Sequence, residues 1–237
     1  MPHIIHIEQT DSTSNYLKDL ILKQDVEEGT VVFADFQTSG KGQKGNGWES
    51  ERGKNLLFSI VLYPSMIKAS EQFVISQIAS LAVADVLSQY TEDITIKWPN
   101  DIYRKKKKIC GILVENDLMG EVICQSVLGI GININQEKFE SSAPNPVSLR
   151  QITGKKYGLK KVLEQVVQNI LFYYSVLKSD NINYIRERYD HFLYQHTGFH
   201  LYSDGHHTFS AQIKEVESSG LLVLETENGE IRKFTFK

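Results

Sequence analysis

The stretch Ser39 to Ser50, SGKGQKGNGWES, sets four glycines, two lysines and a tryptophan directly after the β-branched run GTVVFADFQ. A strand that empties into such a loop constrains the fold strongly, because the backbone must turn where no helix continues it. Gly40, Gly42 and Gly45 match G-x-G-x-x-G. A dinucleotide fold also needs a helix opening in the loop and an acidic residue about 20 positions on. Neither is there: NGWESERGKN lacks helical character, and YPSMIK holds no acid. The NTPase phosphate loop fails too, since Asn46 follows Gly45 where Lys-Ser/Thr is required. A mobile polar turn and a nucleotide site of another architecture remain. Lys41, Lys44 and Trp48 favour the second. Glycines let backbone N–H groups approach an anion, lysines supply charge, and an indole offers a flat face to a base.

Around this loop the pattern is α+β. HIIHIEQ alternates as a strand, and TDSTSNYLKDLILKQ reads as a helix that Asp11, Ser12 or Thr13 can cap. NLLFSIVLYP is a strand stopped by Pro64. Over residues 70–90, Phe73, Val74, Ile78, Leu81, Ala82 and Val86 fall on one helical face. DITIKWPND is a strand ending at proline, and KKICGILVEN with EVICQSVLGIGININ forms an antiparallel pair around DLMG. Helical stretches follow over about 159–177 and 182–194. Beyond His196, strand formers broken by Asp-Gly, Ser-Gly and Asn-Gly turns indicate a small all-β module. The order lacks regular βαβ alternation, so a mixed sheet flanked by helices is expected, not a doubly wound one. The expected division is a catalytic domain over 1–194 and a small β domain over 195–237.

Lys plus Arg is 26 and Asp plus Glu is 29, a net charge of −3. This argues against a general nucleic-acid binder, which needs a positive surface. Cys110 and Cys124 lie in apolar runs without His or Cys at metal-ligand spacing, as reduced core cysteines of a cytosolic protein do. No apolar run approaches the ~18 residues of a membrane span, and MPHIIHIEQTDS is too short and polar for a signal peptide. A cytoplasmic protein is expected.

Three further stretches carry polar groups into the strands. In KWPND, Pro99 fixes the backbone and presents Lys97, Asn100 and Asp101. The lysine suits a phosphate or carboxylate and the aspartate suits Mg²⁺, but the string reads equally as a strand-ending turn with surface charges. In RKKKK, Lys105 to Lys107 read as a solvated hairpin face, whereas Lys108 opens the apolar strand ICGILVE. GIGININ places glycines inside a strand, which marks close approach of a ligand or another backbone.

DSTSN, FQTSGKGQKGNGW, KWPND with Lys108 seven residues after its aspartate, and GIGININ, in this order, resemble the biotin protein ligases over essentially the whole chain. The resemblance implies a catalytic domain like those of class II aminoacyl-tRNA synthetases, with an SH3-like β-barrel at the C-terminal end. It implies a reaction in which the biotin carboxylate attacks the α-phosphate of ATP. A lysine of a biotin carrier domain of a carboxylase then takes biotin from biotinyl-5′-AMP. It assigns Ser12, Thr13, Gln37, Gly40, Lys41 and Gly111 to biotin. To the nucleotide it assigns Gln43, Lys44, Trp48, Lys97, Asn100, Gly131 and Asn133. Lys108 and Lys41 become the catalytic cations, and Asp101 the Mg²⁺ ligand. The family loop reads G-R-G-R-x-G-R-x-W, so Gln43 stands where an arginine is usual, with Lys44 beside it. Because these motifs begin by Asp11, no N-terminal DNA-binding domain and no repressor role are expected. A monomer and a homodimer both remain open. The related alternative is a lipoate-protein ligase acting through lipoyl-AMP. A non-catalytic nucleic-acid binder using the basic hairpin is the alternative of another class.

Overall fold

The computed structural model describes residues 2–42, 47–140 and 145–235. Seven strands form the main sheet: β1 (Ile4–Thr10), β2 (Val31–Gln37), β3 (Leu56–Leu62), β4 (Ile94–Lys97), β5 (Asp101–Arg104), β6 (Lys107–Met119) and β7 (Val122–Ile132). Their spatial order is β1-β2-β3-β7-β6-β5-β4. β1 and β2 run parallel because helix α1 (Thr13–Lys23) carries the chain back between them; every other pair is antiparallel. The sheet is mixed, as expected.

Its two faces are covered unequally. One carries the main core, where α2 (Phe73–Ser88), α4 (Leu159–Lys178) and α5 (Ile182–Phe192) pack over Phe58, Ile60, Ile112, Ile130 and Ile132. α2 is buried on nearly every side, not along one stripe as its spacing implied, because α4 and α5 close over it. A one-turn helix, α3 (Leu149–Thr153), absent from the sequence reading, opens with a capping box at Ser148 and Gln151. Among the described residues the other face carries only α1. Leu17 packs on Val32, Val61 and Val127, leaving the sheet open beyond the N-terminus of α1.

Downstream, β8 (His200–Ser203), β9 (Thr208–Val216), β10 (Leu222–Thr226) and β11 (Ile231–Phe234) make a four-stranded antiparallel meander. Its turns place Gly205, Gly220 and Gly229 at positive φ, which the Asp-Gly, Ser-Gly and Asn-Gly pairs foreshadow. The meander is joined to the main sheet through Trp98. That indole packs between the two cores and donates Nε1–H to the Gly220 carbonyl at 3.0 Å.

Candidate active site

On the open face, side chains are removed where a ligand needs room. Val61, Ser59 and Leu57 pair with Val127, Gly129 and Gly131, and Gly131 pairs in turn with Gly111. The Gly111–Gly131 rung lies under the Trp48 indole: a Cβ on Gly131 would fall 2.5 Å from its ring, and one on Gly111 2.8 Å. The neighbouring rung lies under α1, where a Cβ on Gly129 would meet the Ser14 hydroxyl at 2.5 Å. GIGININ therefore does mark close approach. At Gly131 the visitor is Trp48, and at Gly129 it is the first turn of a helix.

An inner chamber of about 160 Å³ opens on this floor, walled by Ser12, Thr13, Ser14, Gln37, Lys41 and Lys108. Ser12 occupies the N-cap position of α1, yet its hydroxyl makes no cap hydrogen bond and remains available to the chamber. Thr13 donates both its N–H and its hydroxyl to Gln37 Oε1, at 2.7 and 3.0 Å. Lys41 Nζ donates to Asn15 Oδ1 at 2.5 Å, and the Asn15 amide bonds Asp11. That amide bond, joined by donors at Ser12 and Thr10, overrides partial desolvation and holds the Asp11 carboxyl below the usual aspartate range. A fixed anion behind Asn15 thus orients the Lys41 cation.

The glycine loop closes at its base by Lys41 pairing with Gly47 and by Trp48 N–H donating to the Gly40 carbonyl at 2.9 Å. Gln43 and Lys44, both assigned to the nucleotide on resemblance, lie outside the described residues. Beyond the loop base is an outer compartment of about 790 Å³, bounded by Gly40, Trp48, Lys97, Tyr103, Asn133 and Phe139. The two spaces share Trp48, Asp101 and Lys108 in one wall.

Lys108 reaches that wall through a β-bulge. Asp101 faces Gly111 and Ile102 faces Cys110, but Tyr103 faces Lys108, so Ile109 is the extra residue. The bulge brings the Lys108 chain alongside Gly111, whose Cβ would stand 3.3 Å from Lys108 Cε. Its ammonium pairs with Asp101 Oδ1 at 2.7 Å and lies 5.7 Å above the Trp48 ring. Lys105 to Lys107 are exposed, as expected of a solvated hairpin face. KWPND is more than a strand end: Lys97 and Asp101 pair across the turn as the ends of β4 and β5. Tyr189 of α5 donates to the Pro99 carbonyl at 2.8 Å, and Asn100 donates to the Ile112 carbonyl at 2.7 Å. Asn100 is thus buried in the support of the turn and lines neither compartment. Gly131, assigned to the nucleotide, lines the inner chamber, and Lys97 leans on Tyr103 with Nζ 5.1 Å above the ring.

Two buried polar atoms at this wall lack hydrogen-bond partners among the described residues: Trp48 Nε1–H, a donor, and Asn133 Oδ1, an acceptor. Buried polar atoms are rarely left so, and here both border space for a ligand. For Mg²⁺ the fit is limited. Among the described residues no group of three or more His, Cys, Asp and Glu could hold a metal, and Asp101 is already paired with Lys108. One carboxylate suits an ion that travels with nucleotide phosphates, not a resident cage. Sequence reading missed Ser59 and gave Ser14, in DSTSN, and Gly129, in GIGININ, no role of their own. The signal for Ser59 was a lone serine inside the apolar run LLFSIVL.

A mixed sheet with one face stripped by glycines, a glycine–lysine loop base at its edge and a lysine between two chambers define a ligand-binding type of domain. The match to solved structures is close in the same terms. The biotin protein ligase from Aquifex aeolicus in complex with biotin and ATP superposes with a TM-score of 0.81 at 28% identity, over 99% of this chain and 96% of that one. Among curated relatives, the bifunctional ligase/repressor BirA of Bacillus spizizenii is 30% identical over 170 residues, 70% of this chain and 51% of its own. BirA of Escherichia coli is 36% identical over 143 residues, 57% of this chain and 41% of its own. The chain thus spans about half the length of these curated relatives or less. Residues 6–133 match the biotin/lipoate A/B protein ligase family model, and the chain belongs to that family.

Proposed function

We propose that the protein is an ATP-dependent biotin–protein ligase, which activates biotin as biotinyl-5′-AMP and transfers it to a lysine of a biotin carrier domain. One observation carries the reading: Lys108 stands in the wall common to a small hydrogen-bonding chamber and a larger nucleotide-sized compartment. The ring system of biotin occupies the inner chamber against Ser12, Thr13 and Gln37, with Gly111 and Gly131 as its floor. The nucleotide occupies the outer compartment beside Trp48, Lys97 and Asn133.

In the first step a biotin carboxylate oxygen bonds to the α-phosphorus and the bond to the bridging oxygen of pyrophosphate breaks. Two anions must meet for this, so positioning and positive charge supply most of the catalysis. Lys108 exchanges Asp101 for the carboxylate and α-phosphate oxygens, and Lys41 adds charge from the loop base. Asp101 is the residue that would touch a Mg²⁺ carried in on the phosphates, and such an ion would add further neutralisation. In the second step the carrier-lysine amine attacks the acyl carbon, AMP leaves, and the amine gives up a proton. The use of ATP and the free thiols of Cys110 and Cys124 fit action in the cytoplasm. Residues 1–194 carry this chemistry in our reading, and 195–237 form the appended β domain, steadied on the KWPND turn through Trp98.

The test is to mix the protein with Mg-ATP, an apo biotin carrier domain and either biotin or lipoate, then weigh the carrier. A biotin-dependent mass gain is expected. A gain with lipoate alone, or no gain, overturns the reading.

A further inference from the structure

Beneath the inner chamber runs a chain of buried hydroxyls whose middle member, Ser59, lies in none of the motifs. Ser59, on β3, is fully buried; its Oγ lies 2.8 Å from Thr13 Oγ1 and 2.9 Å from Ser14 Oγ. Thr13 Oγ1 lies in turn 3.0 Å from Gln37 Oε1. Ser14 reaches Ser59 only because Gly129, the cross-strand partner of Ser59, has no Cβ to block it.

The protons of this chain have one consistent order. The Thr13 backbone N–H can only donate, so the Gln37 atom 2.7 Å away is its carbonyl oxygen and the side-chain NH₂ lies on the other side. The same oxygen accepts the Thr13 hydroxyl proton, the only one that Thr13 has. The contact between Thr13 and Ser59 must then use the Ser59 proton, and the contact between Ser59 and Ser14 must use the Ser14 proton. All three hydroxyls are therefore tied down as donors within the protein. What they offer outward is lone pairs.

We propose that Ser59 is a positioning residue for ligand selection: it accepts the Ser14 proton and, by donating to Thr13, keeps the Thr13 proton on Gln37, so that both hydroxyls face the chamber as acceptors and it prefers a head group bearing N–H donors. A cyclic urea meets that demand; a dithiolane or a plain alkyl chain leaves the lone pairs unmatched. A site built to pair a polar ligand group discriminates strongly against analogues lacking it, because its own buried groups are then left without partners. The inference rests on the proposed function and adds to it a residue that touches no substrate.

The experiment compares Ser59→Ala, Ser14→Ala and the double variant by calorimetric titration with biotin and with lipoate, and by steady-state kinetics. Ser59→Ala is expected to raise the biotin Kd about tenfold while moving the lipoate Kd less than twofold. The biotin KM should rise with little change in kcat. In the Ser14→Ala background the same change should cost less than threefold, since Ser59 acts through its neighbours. Equal weakening of both ligands, a fall in kcat without a rise in KM, or an undiminished effect in the Ser14→Ala background overturns the proposal. Should Ser59→Ala not fold, Ser59→Cys, which keeps a weak donor at the same place, carries the same comparison. Wild-type protein that binds no biotin would defeat the proposed function itself. Wild type that binds biotin, with Ser59→Ala binding it equally well, would defeat only the role of Ser59.

Discussion

The two chambers that meet at Lys108 are built on opposite principles. The inner one is organised by short neutral hydrogen bonds, closed in by buried Thr13, Ser14 and Ser59 and floored by glycines. The outer one is wider and bordered by longer, partly solvated groups such as Lys97 and Lys108. Buried neutral networks hold geometry and are indifferent to ions, whereas exposed cations act at longer range and are screened by salt. Under the proposed function the contrast gives shape and hydrogen-bond selection to the hydroxyl end of the inner chamber, and charge neutralisation to its lysine wall and the outer compartment. Lys108 belongs to both.

The sharpest way to break this division is Lys108→Ala. Adenylate formation, followed as pyrophosphate release in a single turnover, should slow about 10²- to 10³-fold, while the biotin Kd moves only a few-fold. Equal losses in the two would place Lys108 in ground-state binding of the inner ligand alone. Next in size is Gly131→Ala, whose methyl would meet the Trp48 ring at 2.5 Å and drive the indole off its floor. An overpacking cost of about 1–3 kcal/mol should weaken nucleotide binding tenfold or more. Gly158→Ala, with nothing within 4 Å of the new methyl, should leave it unchanged.

Salt separates the chambers without any substitution. Raising it from about 0.05 to about 0.5 M should weaken ATP binding about fivefold and leave biotin binding nearly constant, as titrations of each ligand will show. A parallel loss for biotin would mean that Lys41 matters more to the inner ligand than the hydroxyls do. The smallest effect is expected from Gln43→Arg, which adds a charge with a bidentate fork to the loop. Escape of the adenylate, timed by chase with unlabelled biotin and ATP, should slow about threefold. An unchanged rate would leave that task to Lys41, Lys44 or the loop backbone.

Much of this was legible in the chain. Most elements were, because strand alternation and helical spacing are local properties, and the turn glycines at 205, 220 and 229 sit where their dipeptides place them; the short β5 and α3 were not. The motif residues were too: Ser12, Thr13, Gln37, Lys41, Gly111 and Lys108 all gather on one chamber wall. Asn100 was legible as important but not as support, since its partner is a backbone carbonyl on the neighbouring strand. Ser59 could be noticed only as an odd polar residue, because its meaning lies in Thr13 and Ser14, more than 40 positions away.

The sequence by itself determined the mixed α+β class, the glycine–lysine loop after a strand, the β module at the end and the set of groups available for chemistry. Each follows from residue types and short spacings. Only the tertiary structure decided which way those groups point. A single bulged residue, Ile109, turns Lys108 towards Gly111 and Asp101, and one pairing, Ser59 with Gly129, lets a helix tip touch the sheet. Register and bulges fix the face on which a side chain emerges, and they arise from contacts between strands that no local window of sequence contains.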